Sequence, residues 1–231
     1  MTVKKTSVVL LSAGLDSTVN FYNALIETDV KLALTFSYGQ KAALKEIERA
    51  KYIAEVNKVT HTVVDLPWLK NLGKSALTQD QYTMPVGKNI SIDNLAVSTT
   101  SAKAVWVPNR NGVFLNVAAS FAESIKADVI VPGFNREEAI TFPDNSLDFI
   151  RSVRKSFIYS TATKVDIQCY TIAMSKIEIV ELGKKLNVPF EKIWPCYQSK
   201  NIWCGECESC KRTKRAFVAT RVELKHMFEK Y

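Results

Sequence analysis

The chain has 231 residues, 47% of them hydrophobic and 23% charged, which excludes a disordered polymer and allows one substantial α/β domain with a small appendage. No apolar run approaches the roughly 20 residues that span a bilayer, and no secretory signal is present, so a cytoplasmic setting is expected. A net charge of +8 suits anions (nucleotide, acidic substrate or RNA) without choosing among them.

In chain order, Ser7–Leu11 reads as a buried strand, because Val8 to Leu11 are uninterruptedly apolar. A turn, Ser12-Ala13-Gly14-Leu15-Asp16-Ser17, leads into a predicted helix over Ser17–Glu27. A strand that turns tightly into a helix gathers backbone N–H groups and the positive helix end around one point, which suits a phosphate. Ser12, Ser17 and Thr18 add hydroxyl donors, and Asp16 is a candidate ligand for a Mg2+ that bridges phosphate oxygens. The lysine-bearing P-loop pattern is absent. An ordinary turn with polar residues is the plain alternative, but Ser, Gly, Asp and Ser in this order after a strand favour phosphate.

Further strands are predicted at Lys31–Phe36, His61–Asp65, Asp128–Pro132 and Val165–Tyr170. Helices are predicted at Lys41–Asn57, Asn111–Lys126, Ser146–Tyr159 and Ser175–Leu186. Asn71 to Val107 lacks periodicity and is expected to be a lid or substrate loop. Strands separated by helices give a parallel sheet with helices on both faces. Ligands then collect beyond the carboxyl ends of the strands, where Ser12–Ser17, Ser37–Gln40 and Gly133–Arg136 fall. His61, in a strand, and His226, assigned to a C-terminal helix, are expected to be structural or solvated.

Near the end, Cys196 precedes the run Cys204-Gly205-Glu206-Cys207-Glu208-Ser209-Cys210 by eight positions. Two-residue gaps let successive thiolates face one centre, and a fourth from a nearby loop closes a tetrahedron, as in a structural Zn2+ site. Spacing alone fits an iron–sulfur cluster too, but Zn2+ is favoured. Disulfides do not suit an intracellular chain. Four thiolates leave no open coordination position, so the role is structural. Cys169, in an alternating run, is expected in the core. Lys211, Arg212, Lys214 and Arg215, just after the cysteines, are read as a solvated face.

These motifs, taken together, resemble those of the 7-cyano-7-deazaguanine synthase family, in its archaeal-type branch. The carriers are the turn after the first strand, which is similar to a pyrophosphate loop, Tyr38-Gly39-Gln40, and Val107-Pro108-Asn109-Arg110-Asn111. Gly133-Phe134-Asn135, the run Glu137 to Ser146 with Phe142-Pro143-Asp144, and Trp194-Pro195-Cys196-Tyr197 complete the set. Ala13 departs from the loop pattern and obliges the backbone to tolerate a Cβ, so a working loop with a slightly less open approach to the phosphate is expected. Asn109 and Pro195 depart as well.

The resemblance implies an adenine-nucleotide α-hydrolase-like fold of pyrophosphate-loop type, with residues 1–190 as the catalytic domain and 191–231 as a zinc knuckle with its helix. It implies conversion of 7-carboxy-7-deazaguanine to the nitrile with ATP, Mg2+ and ammonia. Nucleotide is expected along Leu10, Leu11, Ser12, Ala13, Gly14, Leu15, Asp16, Ser17, Thr18, Val19 and Asn20, with Tyr38 and Gln40. Ser12, Asp16, Ser17, Arg110 and Lys176 are the expected catalytic residues, and Arg110, Asn135, Phe142 and Asp144 the expected substrate contacts. Plain alternatives are core packing for Phe142 and helix capping for Asp144. Small-molecule partners, a homodimer and no direct nucleic-acid binding are implied.

The nitrogen donor is expected to be free ammonia. A glutamine-dependent enzyme needs an activated or N-terminal cysteine, whereas this chain begins Met1-Thr2 and shows no cysteine before Cys169. Two other readings share the loop: a tRNA-modifying adenylating enzyme that inserts sulfur, and a non-catalytic nucleotide-binding module.

Overall fold

The computed structural model describes residues 4–231. Five parallel strands, β1 (Thr6–Leu10), β2 (Asp29–Ser37), β3 (Thr60–Asp65), β4 (Val129–Val131) and β5 (Asp166–Ile167), lie in the order β3-β2-β1-β4-β5. The helices are α1 (Leu15–Glu27), α2 (Ala43–Val56), α3 (Leu95–Ala104), α4 (Arg110–Ser124), α5 (Arg136–Ala139), α6 (Leu147–Ser160), α7 (Lys176–Lys185) and α8 (Glu208–Thr220).

Consecutive residues of a strand face opposite sides of its sheet. In β1 both Val8 and Val9 are fully buried, so the sheet is covered twice. Val8 packs with Leu115, Ala118 and Ala122 of α4 and Phe157 of α6. Val9 packs with Phe21 and Ala24 of α1 and Ile53 and Ala54 of α2. A third apolar cluster joins Leu15 and Val19 of α1 and Ile179 of α7 to Trp194, Trp203, Phe217 and the four cysteines. The C-terminal segment therefore shares its apolar contacts with the helix that follows the first strand. Among the described residues no helix is long and apolar enough to cross a membrane.

Three local readings need correction. The stretch Asn71 to Val107 contains α3, begun by Asn94, whose side chain accepts from the Val97 N–H at 3.2 Å. The buried positions of α3 are Ser98, Ser101 and Ala102, so it has no apolar stripe to read. β5 stops at Ile167: Gln168 still donates to the Ile130 carbonyl, but the Tyr170 N–H goes to the Asn20 side chain and leaves the ladder. His226 lies in a short 3-10 turn, Lys225–Met227, because α8 ends at Thr220, where Arg221 turns left-handed.

Candidate active site and metal centre

From β1 the chain crosses to β2 on one side, and from β4 to β5 on the other. This reversal opens a crevice at the carboxyl ends of β1 and β4, the expected ligand site of an open α/β sheet. A cavity of about 230 Å³ occupies it.

The turn after β1 forms its floor. Ser12 Oγ and Ser17 Oγ lie 3.0 Å apart, the Gly14 N–H donates to Ser12 Oγ, and Ser17 Oγ donates to the Gly14 carbonyl. These contacts aim the N-terminus of α1 into the cavity. Ala13 adopts φ 59°, a left-handed conformation that disfavours a Cβ. Its methyl is buried in the core and its carbonyl accepts from the Trp194 N–H at 2.7 Å. The Cβ therefore does not narrow the approach of a phosphate. Leu10, Leu11, Ser12, Gly14, Leu15, Asp16 and Ser17 line the cavity. Thr18, Val19 and Asn20 are fully buried behind it.

The turn after β4 closes on this floor. A Cβ built on Gly133 would stand 2.6 Å from Ser17 N and Cα, which are backbone atoms that no rotamer change can move. Gly133→Ala is expected to lose about 1–3 kcal/mol through overpacking and to weaken ATP binding, because α1 must shift. Thermal melting with and without ATP checks this; unchanged binding would show that the close approach is dispensable.

Behind the turn sits a buried charge cluster. Lys176 Nζ bonds Asp16 Oδ2 at 2.5 Å and Glu138 Oε1 at 2.6 Å, and Asn135 Nδ2 donates to the same Asp16 oxygen at 3.2 Å. Lys176 arrives at the first turn of α7, whose start is fixed by Ser175 and Glu178 in reciprocal capping bonds. Its N–H donates to Glu137 Oε1 at 2.8 Å. Burial raises the Asp16 carboxyl to about 6, against the pull of the Lys176 ammonium. Burial acts to lower Lys176, but Asp16 and Glu138 hold it above the ordinary lysine range. Asp16 Oδ1 is buried without a hydrogen-bond partner. An oxygen so placed, beside a second carboxylate, fits a hard cation such as Mg2+.

At the opposite wall, Arg110 opens α4. Its guanidinium lies 5.9 Å from the ring centres of Tyr38 and Phe114, and Nη1 donates to Tyr38 Oη at 3.4 Å. Phe114 stacks on Phe36 at 4.1 Å. Gln40 binds the Phe36 carbonyl and the Tyr38 N–H and donates to Glu46 Oε2 at 2.9 Å. Phe142 lines the cavity and stacks in parallel on Trp106. The Asp144 carboxyl, raised by burial despite Arg110, lies outside the lining, and Ser146 caps α6 in its place. Asn135 is fully buried; it caps α5 through the Glu138 N–H and so fixes Glu138 and Asp16 together.

Glu46 and Phe114, which belong to no sequence motif, also line the cavity, as do Glu138 and Tyr197, which the motifs contain without an assigned role. The acidic pair Glu137-Glu138, just beyond a strand end, was the one available signal. The solvated reading of the basic run is wrong. Arg212 is buried, bonding Glu208 at 2.7 Å, Glu137 at 3.2 Å and Ser98 at 3.3 Å. Arg215 also pairs with Glu137, and Lys211 donates to the carbonyls of Gly87 and Ile90. Lys214 is half-buried against the Tyr231 ring and donates to the Lys230 carbonyl, with no acidic partner among the described residues. Glu208, one helical turn earlier, and Glu137, distant in sequence, together offset the buried charge of Arg212.

The sulfurs of Cys196, Cys204, Cys207 and Cys210 are buried and lie within 4.8 Å of one another, with Cys204 and Cys210 3.9 Å apart. Zn–S bonds of about 2.3 Å in a tetrahedron require sulfurs about 3.8 Å apart. Backbone N–H groups of Gln198 and Cys204 point at Cys196 Sγ, and those of Glu206 and Cys207 at Cys204 Sγ. The donor set, its geometry and these charge-stabilising N–H groups fit Zn2+. Cys207 also begins α8, and Cys210 lies in its first turn. Cys169 stays apart as a free thiol bonded to the Phe134 carbonyl.

Residues 6–221 match the family model described as queuosine biosynthesis protein QueC. A relative from Bdellovibrio bacteriovorus, described as 7-cyano-7-deazaguanine synthase, is 52% identical over 99% of this chain and 100% of its own length. One from Desulforamulus reducens with the same description is 46% identical, covering 96% and 97% respectively. Among solved structures, an NMN synthetase from Francisella tularensis aligns with TM-score 0.47 at 14% identity, over 97% of this chain and 80% of its own. With the family model spanning both the crevice beside the first strand and the cysteine cluster, the chain belongs to the QueC family of queuosine biosynthesis proteins.

Proposed function

We propose that this chain is an ATP-dependent 7-cyano-7-deazaguanine synthase, which converts 7-carboxy-7-deazaguanine and ammonia to the nitrile. The observation that carries the reading is one cavity holding both a phosphate-binding turn with its carboxylate–lysine cluster and an arginine–aromatic wall, in a chain 52% identical to a synthase over its full length.

A carboxylate is a poor electrophile because its leaving group would be oxide. Transfer of AMP to it supplies a leaving group. Ammonia displaces AMP to give the amide, and a second transfer of AMP, to the amide oxygen, lets that oxygen depart and leaves the nitrile. Catalysis of this kind rests on positioning and neutralisation of phosphate charge. Ser12, Ser17 and the N-terminus of α1 donate to the phosphates. Lys176 and Arg110 bring positive charge from opposite walls. Phe142 offers a face to the flat deazaguanine base, while Asn135 and Asp144 act from behind the lining. Asp16, with Glu138 beside it, would hold Mg2+, which neutralises phosphate oxygens when bound. The thiolates of Cys196, Cys204, Cys207 and Cys210 would hold Zn2+, which would brace the C-terminal segment. The enzyme works in the cytoplasm on small molecules, as a homodimer, without binding nucleic acid itself.

The nitrogen comes from free ammonia. Cys169, the thiol outside the metal centre, is raised by burial and bonded to a carbonyl, and His61 bonds Thr35 in the sheet; neither forms an activated nucleophile. Incubation with 7-carboxy-7-deazaguanine, ATP and ammonium salt is expected to yield amide and then nitrile. The rate should follow the concentration of unprotonated ammonia, and glutamine should not replace it. Turnover only with tRNA, or none at all, defeats the reading; efficient use of glutamine by the purified protein defeats the ammonia assignment.

A further inference from the structure

Three carboxylates line the cavity: Asp16, Glu46 and Glu138. Asp16 and Glu138 share the Lys176 ammonium. Glu46 has no salt-bridge partner among the described residues, and the one hydrogen bond to its carboxylate is the donation from Gln40 Nε2 to Oε2. Gln40 is itself immobilised by the Phe36 carbonyl and the Tyr38 N–H at the end of β2. Glu46 thus stands on the first turn of α2 and lines the cavity, with one carboxylate oxygen clamped by Gln40 and the other without a hydrogen-bond partner among the described residues.

We propose that Glu46 is the proton acceptor for the nitrogen nucleophile. The proposal rests on the synthase reading above. As ammonia attacks the acyl adenylate, the C–N bond forms, the C–O bond to AMP breaks, and AMP departs with the electron pair. The surplus N–H proton passes to the Glu46 carboxylate and thence to solvent. In the second half-reaction, loss of AMP from the adenylated amide leaves the nitrile only if the remaining nitrogen protons depart, and the same carboxylate accepts them in turn.

The surroundings suit this role. Burial pushes the Glu46 carboxyl up to about 7, while the Gln40 hydrogen bond and the Arg110 guanidinium act to lower it. Tyr38, at the end of β2, and Arg110, on α4, are the other titratable groups facing it. A base is most effective when its pKa lies near the working pH. Asp16, tied to a lysine, is unsuited to accept a proton from the nucleophile.

Glu46→Gln tests the assignment, because the amide still accepts from Gln40 but cannot take a proton. Two rates are compared at saturating substrate: nitrile formation with ammonia, and ATP–pyrophosphate exchange without it. The variant is expected to keep exchange within about threefold and to lose on the order of 100-fold in kcat for nitrile, the range of general-base contributions. At a fixed concentration of unprotonated ammonia, wild-type kcat should fall as pH drops through about 7, and this limb should vanish in the variant. Equal loss of exchange and nitrile formation would assign Glu46 to binding and overturn the proposal, as would a variant with wild-type kcat and an unchanged acid limb. Failure of the synthase reading is separately visible, because the wild-type protein would then form no nitrile.

Discussion

Lys176→Met is expected to abolish nitrile formation and to destabilise the protein by about 3–5 kcal/mol, the cost of leaving buried charge uncompensated. Asp16→Asn is expected to lose at least about 100-fold in activity while keeping the fold. The difference follows from charge count. With Lys176 present, two carboxylates share one ammonium; removing the ammonium leaves Asp16 and Glu138 facing each other in the interior. Removing the charge of Asp16 leaves Lys176 and Glu138 as a matched pair. Circular dichroism melts and steady-state rates on both variants check the order of effects. Near-normal nitrile formation by Asp16→Asn would remove Asp16 from its assigned role.

The same cluster sets a pH dependence. The folded-state pKa of Asp16 lies near 6, above the ordinary 3.8, so the folded chain binds more protons than the unfolded one between those values. By linkage, this group makes stability fall as pH rises from about 4 to 6, and contributes no further change above that window. Activity runs the other way. If the ionised carboxylate is required, exchange of pyrophosphate into ATP declines as pH falls through 6.

Cys207→Ser is the second change with a large expected effect. A structural Zn2+ site contributes roughly 10–16 kcal/mol of apparent folding free energy in a small motif, and here the four cysteines sit in the apolar cluster shared with α1 and α7. The variant is expected to bind well under one zinc per chain and to melt at a markedly lower temperature. Strong chelators should reproduce the melt in the wild-type protein. Cys169→Ala should retain full zinc, since its sulfur belongs to another part of the core. Elemental analysis of freshly prepared protein reads all three, and an iron–sulfur absorption band or absence of zinc would refute the assignment.

Much of this was written locally. The apolar run Val8 to Leu11 followed by small and hydroxyl residues specifies strand, turn and helix, because the signals for each lie within a few positions of one another. The cysteine spacing specifies a thiolate site for the same reason. Strand and helix order then dictates a parallel sheet and puts the crevice at its carboxyl edge. Boundaries failed where side chains from afar intervened: Asn20 ends β5 by capturing the Tyr170 N–H, and α3 is held by Ser and Ala rather than by an apolar stripe.

The charges are where tertiary structure alone decided. Arg212 and Arg215 sit in a basic run that reads as solvated, yet both pair with Glu137, some 75 residues earlier, and Arg212, which also bonds Glu208 one turn back, is buried. Lys176, Asp16 and Glu138 come from three elements, and nothing in their local sequence marks them as partners. Local sequence expresses periodicity and turn chemistry, which are short-range. Whether a charge is buried depends on what opposite charge the fold brings within about 4 Å, since only a close partner offsets the desolvation cost. That distance exists only once the sheet has formed.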